Sequence, residues 1–491
     1  MKQKILKIPD EVINITETLE DAGFEAYLVG GCVRDLLRNK EPKDWDITTN
    51  AKPEQIEALF EKTVYENTFG TVVVVQEDVI RETLRNIEVT PYRLEAKYSD
   101  NRHPDSVSFS DNIEDDLKRR DFTINAIAYS PSKGHIIDLY KGQEDIKDKI
   151  IRAVGDPEER FTEDALRIVR AIRFSAELGF TIEEQTEKAI TKTANLLENI
   201  AMERIKDEFS KMVMSENPMD GMILINKLNV LKYILPESGE GIKIEQNASH
   251  IYDVWEHSIR ALQHGAKREF PLHVRIAALL HDVGKPRSRA WSKEKKDYTF
   301  YGHEVIGARM TKKALERLKF PRKIIDTATK LVRNHMFFSD IDQITLSAVR
   351  RLIRNVGKEN VWDLMKVRAC DRIGMGKPKE APYRLRKYKS MIEEAMRAPV
   401  SVGMLKIDGD IIMKITGEKP SRKIGYILHS LLEEVLDDPE LNTEEYLERK
   451  SKELIKLPED ALKTLGEAGR EKKEEEEEKE LAKIRKRHFV K

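Results

Sequence analysis

The chain has 491 residues, 40% hydrophobic and 35% charged, with 86 Lys and Arg against 87 Asp and Glu for a formal net charge of -1. That apolar fraction supports packed cores and excludes a disordered chain, while the length exceeds one compact domain and, at about 150 residues each, implies roughly three. The balanced charge excludes a uniformly basic protein, so any nucleic-acid surface is local; the two cysteines, Cys32 and Cys370, are too far apart in sequence for a disulfide framework and fit a reducing cytoplasm.

The opening "MKQKILKIPDEVINITETLEDAGF" has no signal-peptide core, and no uncharged apolar run reaches the roughly 18 residues of a membrane span. A soluble cytoplasmic protein with no membrane partner is expected. In the first part of the chain "EAYLVG", "TVVVVQ", "RNIEVTPYRL" and "SVSFS" are rich in β-branched residues between turn-formers, and read as strands. After "AIAYSPSKGHIIDLYKG" the apolar spacing becomes three-and-four, as in "EDALRIVRAIRFSAELGF" and "VRIAALLHDVG". The expected class is α+β: a small mixed-sheet head over residues 1–140, then an all-helical body. Within that body a neck spans 141–240, and breaks at 236–250 and 374–385 bracket a domain at 250–375 that holds most of the histidines. A C-terminal helical region follows at 376–465. The end, 466–491, runs from acidic to basic and reads as a solvated helix or frayed tail; an RNA-touching tip at Lys483, Arg485, Lys486 and Arg487 is the alternative.

The stretch "LVGGCVRDLLRNKEPKDWDITTN" raises the first chemical question, since Asp44 and Asp46 stand among apolar neighbours. In a strand, residues i and i+2 face one side about 6.6 Å apart, so both carboxylates can lean on one ion while Trp45 and Ile47 anchor the strand. Two such carboxylates repel each other unless a cation lies between them. All-oxygen ligation suits Mg²⁺, which completes its shell with water and substrate phosphates. Gly30 and Gly31 let backbone N–H groups approach a phosphate chain, and Arg34 adds a charged fork. Glu88, polar within "IEVTPYR", is a third carboxylate for a two-metal site or a residue of an exposed strand face.

Taken together, "LVGGCVRD", "DWDITT", "RRDFTINAIAY" and "RFTEDALRIVRAIRFSAELGF" resemble the successive signatures of class II template-independent nucleotidyltransferases, the family of tRNA CCA-adding enzymes and bacterial poly(A) polymerases. The resemblance implies that Asp44 and Asp46 hold the catalytic Mg²⁺, that Gly31 and Arg34 bind the triphosphate, and that Arg120 and Asp121 contact the nucleotide's phosphate and ribose.

Glu163, Asp164, Arg167, Arg170 and Arg173 fall on one expected helix, where Asp164 and Arg167, three apart, share a face. An acceptor beside a donor fits cytosine (N4 donor, N3 acceptor) and adenine (N6 donor, N1 acceptor), whereas uracil and guanine present the reverse order. Each reversed contact leaves a buried group unpaired at roughly 1–3 kcal/mol. The pair therefore predicts a selector for C and A that needs no template. Arg173 lies on the opposite side of an ideal helix from Asp164 and suits phosphate or RNA contact better. The loop "AKYSDNRHPD" resembles the flexible loop of CCA-adding enzymes, which favours complete CCA addition from CTP and ATP to the tRNA 3′ end; a poly(A) polymerase or A-adding enzyme of the same class is the alternative.

Farther on, "YDVWEHSIRALQHG", "RIAALLHDVGKP", "YGHEVIG", "LVRNHM" and "KVRACDR" carry the histidines. Adjacent His281 and Asp282, ending an apolar helix before a glycine, offer one nitrogen and one oxygen ligand. The order of these segments resembles the HD phosphohydrolase superfamily, which implies His257 and Asp371 as the remaining ligands of a divalent metal. Mixed imidazole and carboxylate ligation admits Mn²⁺, Fe²⁺, Ni²⁺ or Mg²⁺. His303 and His335 are candidates for a second metal or its surroundings, and His264 reads as structural. A second, hydrolytic activity is expected, with an HD phosphodiesterase carrying a relic transferase head as the further alternative.

Overall fold

β-Branched and aromatic runs become strands in the first third of the chain, because their stiff side chains suit a pleated, half-buried surface. The computed structural model describes residues 6–65, 70–95, 107–247, 251–337, 344–397 and 401–490. The loop at 96–105 and His250 lie outside the described residues. The head strands are β1 (Ala26–Val29), β2 (Asp46–Thr49), β3 (Thr63–Tyr65), β4 (Val72–Val75), β5 (Asn86–Pro91), β6 (Arg93–Glu95), β7 (Val107–Phe109), β8 (Ala128–Ser130) and β9 (His135–Ile137). Seven of them form one sheet in the order β3-β4-β5-β2-β1-β8-β9, and β6 pairs with β7 separately. Only β2 and β5 run parallel, with Asp46 in register with Glu88; the other neighbours in the sheet are antiparallel.

The helix Asp10–Asp21 buries Val12, Ile15, Thr16 and Leu19, the i, i+3, i+4, i+7 stripe of an amphipathic helix. Its apolar side chains join Leu28, Trp45, Ile47, Ile56 and Val89 in the head core. The anchoring of β2 by Trp45 and Ile47, 3% and 1% exposed, leaves Asp46 facing away from that core.

Beyond the head the chain is mostly helical but not wholly so. β10 (Ile150–Ile151) pairs in parallel with β11 (Thr181–Ile182), and β12 (Ala290–Ser292) forms an antiparallel hairpin with β13 (Asp297–Thr299). These strands are two or three residues long, too short to register against a helical period. A second departure concerns the helix expected through Glu163 to Arg173. It is two helices, Pro157–Glu163 and Leu166–Leu178, separated at Asp164, whose backbone is extended at φ -140°. The Asp164 side chain accepts the Leu166 N–H at 3.1 Å, and such local bonding by aspartate competes with continuing a helix.

By internal packing the chain divides into one unit of Met1–His335 with Lys366–Pro378, and another of Met336–Met365 with Lys379–Lys491. The second is helical, with Ile412, Ile427, Leu431, Leu447 and Leu462 in its core. Its last helix, Glu459–Arg487, buries Leu462 and Ile484, and Arg487 and His488 pair with Glu393. Lys483 and Arg485 meet Glu480 and Glu478 at 2.6 and 2.9 Å. The end is thus a docked helix in which Lys483, Arg485 and Arg487 have partners within the unit. Among the described residues no helix is long and apolar enough to cross a membrane.

Candidate active sites

The turn after β1 brings the first site together. Gly30 has φ 78°, and a Cβ there would stand 3.3 Å from Asp46 Oδ2 and 3.2 Å from Arg120 Nη1, so a side chain would intrude between a carboxylate and a guanidinium. Asp46 opens β2, while Asp44 precedes the strand and is exposed. Burial raises the Asp46 pKa; Arg120 and Arg34 oppose the rise and Asp44 adds to it. Glu88 sits beside Asp46 in register, but its side chain is exposed.

The basic residues around this carboxylate are themselves fixed. Arg34, buried on the helix Gly31–Leu37, donates to Asn125 Oδ1 at 2.9 Å and to Asp35 at 3.0 Å. Arg120 and Arg119 both grip Asp116, at 2.8 and 2.6 Å. Burial opposes ionisation of Asp116, yet Arg120 and Arg119 outweigh it and hold the pKa at about 2. Asp121 accepts from Asn125 at 3.1 Å and pairs with Arg170 at 2.6 Å.

Around the broken helix the pairing differs from that expected. Arg167 takes Glu163, at 2.7 Å, and donates to the carbonyls of Arg160 and Arg119 at 3.1 and 3.0 Å. Asp164 is held instead by Arg204 at 2.7 Å. The two expected base readers remain on adjoining turns, since the Arg167 N–H donates to the Asp164 carbonyl at 3.0 Å. Arg173 is buried between Glu208 and Glu177, each 2.8 Å away, with its guanidinium 3.6 Å over the Phe174 ring.

The second site gathers side chains from five helices. Asp253 caps the helix Val254–Lys267, which presents His257, and the apolar helix Leu272–Leu280 ends at His281 and Asp282. His303 starts the helix His303–Arg317, His335 ends Arg322–Asn334, and Asp371 lies on Val361–Gly374. All six are buried, and their ligand atoms fall into two groups, His257 with His281 and Asp371, and Asp282 with His303 and His335. Asp282 joins them: Oδ2 lies 3.2 and 3.3 Å from His257 and His281 Nε2, and Oδ1 lies 3.3 and 3.6 Å from His303 and His335 Nε2. A Cβ at Gly284 would stand 2.2 Å from the His303 carbonyl oxygen and 2.5 Å from the Gly307 nitrogen. Only glycine permits the two helices to close on Asp282. His264, on the same helix as His257, belongs to neither group.

The tautomers test whether this cluster fits a metal. His281, His303 and His335 each direct Nδ1 at a backbone carbonyl three residues earlier, at 2.8, 2.7 and 2.7 Å, which places the proton on Nδ1 and a lone pair on Nε2. The Nε2 atoms of His257 and His281 are 2.9 Å apart, and those of His303 and His335 3.2 Å. Facing lone pairs at such distances require a proton or cation between them. Burial opposes charge on His281, but Asp282 and Asp371 outweigh it and push its pKa to about 10. The donor set therefore fits one or two divalent ions.

Several residues here escape sequence reasoning. Arg204 and Glu208 touch the predicted site residues only through tertiary packing, as Asn125 touches Arg34, whereas Asp116 had a local signal in its i+4 spacing from Arg120. Lys285, buried with Nζ 2.6 Å from Asp282 Oδ2, had a local signal in its i+3 spacing from that aspartate.

This pairing of centres defines a class: a polymerase-type nucleotidyltransferase head with an RNA-binding segment and an HD domain, generally dependent on divalent metal. Family models match accordingly, the poly A polymerase head domain over residues 26–152, the probable RNA and SrmB-binding site of polymerase A over 179–240, and the HD domain over 247–374. A CCA-adding enzyme of Lactobacillus delbrueckii subsp. bulgaricus (strain ATCC BAA-365 / Lb-18) is 33% identical over 438 residues, covering 88% of this chain and 95% of that protein. The chain belongs to the CCA-adding enzyme family. The CCA-adding enzyme of Lactobacillus helveticus (strain DPC 4571) is 51% identical over 213 residues, 43% of this chain, and the match spans about half of that relative's length, 52%. The crystal structure of the Bacillus stearothermophilus CCA-adding enzyme in complex with CTP superposes with TM-score 0.57 at 28% identity, covering 90% of this chain and 96% of that one.

Proposed function

We propose that this chain adds C and A nucleotides, as CCA, to the 3′ end of tRNA from CTP and ATP without a nucleic-acid template. The observation that carries the reading is the convergence on Asp46 of Gly30, Arg34 and Arg120, which sets a carboxylate beside two guanidinium groups and a turn without a side chain. Asp44 and Asp46 would hold Mg²⁺, with Glu88 as a further carboxylate nearby. When bound, the ion lowers the pKa of the RNA 3′-hydroxyl and steadies the leaving pyrophosphate. The backbone at Gly30 and Gly31, with Arg34, receives the triphosphate; Arg120 and Asp121 meet phosphate and ribose. The 3′-oxygen bonds to the α-phosphorus, the bond to the β-phosphate oxygen breaks with its electrons leaving on pyrophosphate, and the hydroxyl proton passes to solvent.

Selection rests on Asp164 and Arg167, each oriented from outside by a third group. Asp164, held by Arg204, keeps lone pairs to accept the amino group of cytosine or adenine, and Arg167, held by Glu163, donates to the adjacent ring nitrogen. Arg170 and Arg173 position this wall through Asp121 and Glu208. RNA contacts belong to the helical neck and body through phosphate and 2′-hydroxyl groups. Incubation with Mg²⁺, separately labelled CTP and ATP, and tRNA ending before CCA, after C or after CC tests the reading: stepwise completion is expected, and A-only incorporation with long products would overturn it in favour of poly(A) synthesis.

The HD centre supports a second activity, metal-dependent hydrolysis of phosphoesters at RNA 3′ ends. His257, His281 and Asp371 would hold one ion, and His303 and His335 a second, with Asp282 shared. Borderline ions such as Mn²⁺, Fe²⁺ or Ni²⁺ suit this nitrogen-rich set better than Mg²⁺.

A further inference from the structure

Between Lys285 and His303 the chain leaves the HD centre and returns to it. Lys285 Nζ stands 2.6 Å from Asp282 Oδ2, and His303 Nε2 3.3 Å from Asp282 Oδ1. The β12–β13 hairpin between them thus begins and ends beside the two oxygens of one carboxylate. Its surface is unlike that of a solvated turn. Trp291 is 57% exposed and Tyr301 74%. Trp291 is in register with Tyr298 and meets that ring edge-on at 5.1 Å, while the Arg289 guanidinium lies 3.6 Å over Tyr298. Lys295 donates to the Tyr301 hydroxyl at 2.8 Å, and Lys293 and Lys296 are exposed beside it.

The composition indicates the partner. Over residues 289–301 four cations, Arg289, Lys293, Lys295 and Lys296, outnumber two anions, Glu294 and Asp297, around the exposed rings. Protein-binding surfaces are depleted in lysine at their centres, whereas single-stranded nucleic acid is held by bases stacked on aromatic rings and phosphates met by cations. A duplex, its bases already stacked, would leave the rings unused.

We propose that the β12–β13 hairpin is the docking arm of the HD centre for a single-stranded RNA 3′ end, whose last bases stack on Trp291 and Tyr301 so that the terminal phosphoester reaches the histidine cluster. For its purpose, though not for binding, this rests on the phosphohydrolase reading above. In the step served, the oxygen of water bonds to phosphorus, a phosphorus–oxygen bond to ribose breaks, and the ribose oxygen keeps the electron pair and takes a proton.

Two measurements on the full chain test it. A short oligoribonucleotide with 4-thiouridine beside its 3′ end, irradiated with the protein, is expected to crosslink within residues 289–301. In the second, Trp291→Ala combined with Tyr301→Ala lowers kcat/KM on an oligoribonucleotide ending in 2′,3′-cyclic phosphate by roughly 10- to 100-fold, mainly through KM, the range that loss of stacking accounts for. Hydrolysis of bis(p-nitrophenyl) phosphate stays within about twofold, and Trp291→Phe retains most of the RNA activity. Equal loss on both substrates, no loss on RNA, or crosslinks confined to other segments would overturn the proposal. If neither substrate is hydrolysed by the unaltered protein, the hydrolase reading fails and the crosslink alone decides the arm.

Discussion

Arg204 grips Asp164 with two nitrogens, Nη2 to Oδ2 at 2.7 Å and Nη1 to Oδ1 at 3.3 Å, from forty positions farther along the chain. A carboxylate so held has a fixed plane, and the direction of its remaining lone pairs is a property of the arginine as much as of the aspartate. Arg204→Met is expected to lower the preference for CTP over UTP at least about tenfold while addition of C falls less, because the freed carboxylate can turn. Comparing kcat/KM for the two nucleotides on tRNA lacking CCA measures this; unchanged preference would assign Arg204 to packing alone.

Replacing Asp44 and Asp46 with asparagine removes the anionic ligands at nearly constant volume. Nucleotide addition is expected to fall more than about a hundredfold. The fold should persist, since burial already disfavours charge at Asp46 and the neutral side chain relieves it. Thermal unfolding and addition rate, measured on one preparation, separate the two effects.

Alanine at His281 and Asp282 takes ligands from both halves of the HD cluster. Metal-dependent phosphodiesterase activity should disappear while CCA addition remains within about twofold. Joint loss of both activities would contradict two separate sites.

Asp116 offers a pH signature. Its pKa of about 2, against an ordinary 3.8, contributes roughly 2 kcal/mol of stability above the unfolded value. The sign follows from the depressed value: the contribution is complete above about pH 5 and disappears as pH falls through 3.8 toward 2. Asp116→Asn should destabilise the protein near neutrality and flatten the acid limb of its stability profile. Urea midpoints across that range check it, and an unchanged acid limb would refute the assignment.

What the sequence disclosed and what it withheld divide along a physical line. The tetravaline strand and the alternation around Asp46 were legible, because period-two patterning is local. So were the glycine turn and the order of the HD ligands. Pairings between distant helices were not: nothing near Asp164 announces Arg204, and nothing near Arg173 announces Glu208. The break at Asp164 hid for another reason, since the apolar spacing continues across it and only the aspartate's own bond to Leu166 interrupts the helix. The aromatic hairpin was absorbed into a helical reading, its strands being only three residues each.

The backbone contact at Gly284 gives the HD cluster a vulnerability that has nothing to do with its ligands. A methyl group at that position would wedge apart the chain segments that bring His303 to Asp282. The hydrolytic activity proposed for this cluster would therefore fall silent in a lineage through one uncharged substitution, every ligand still in place, and a motif search would count such a descendant as intact.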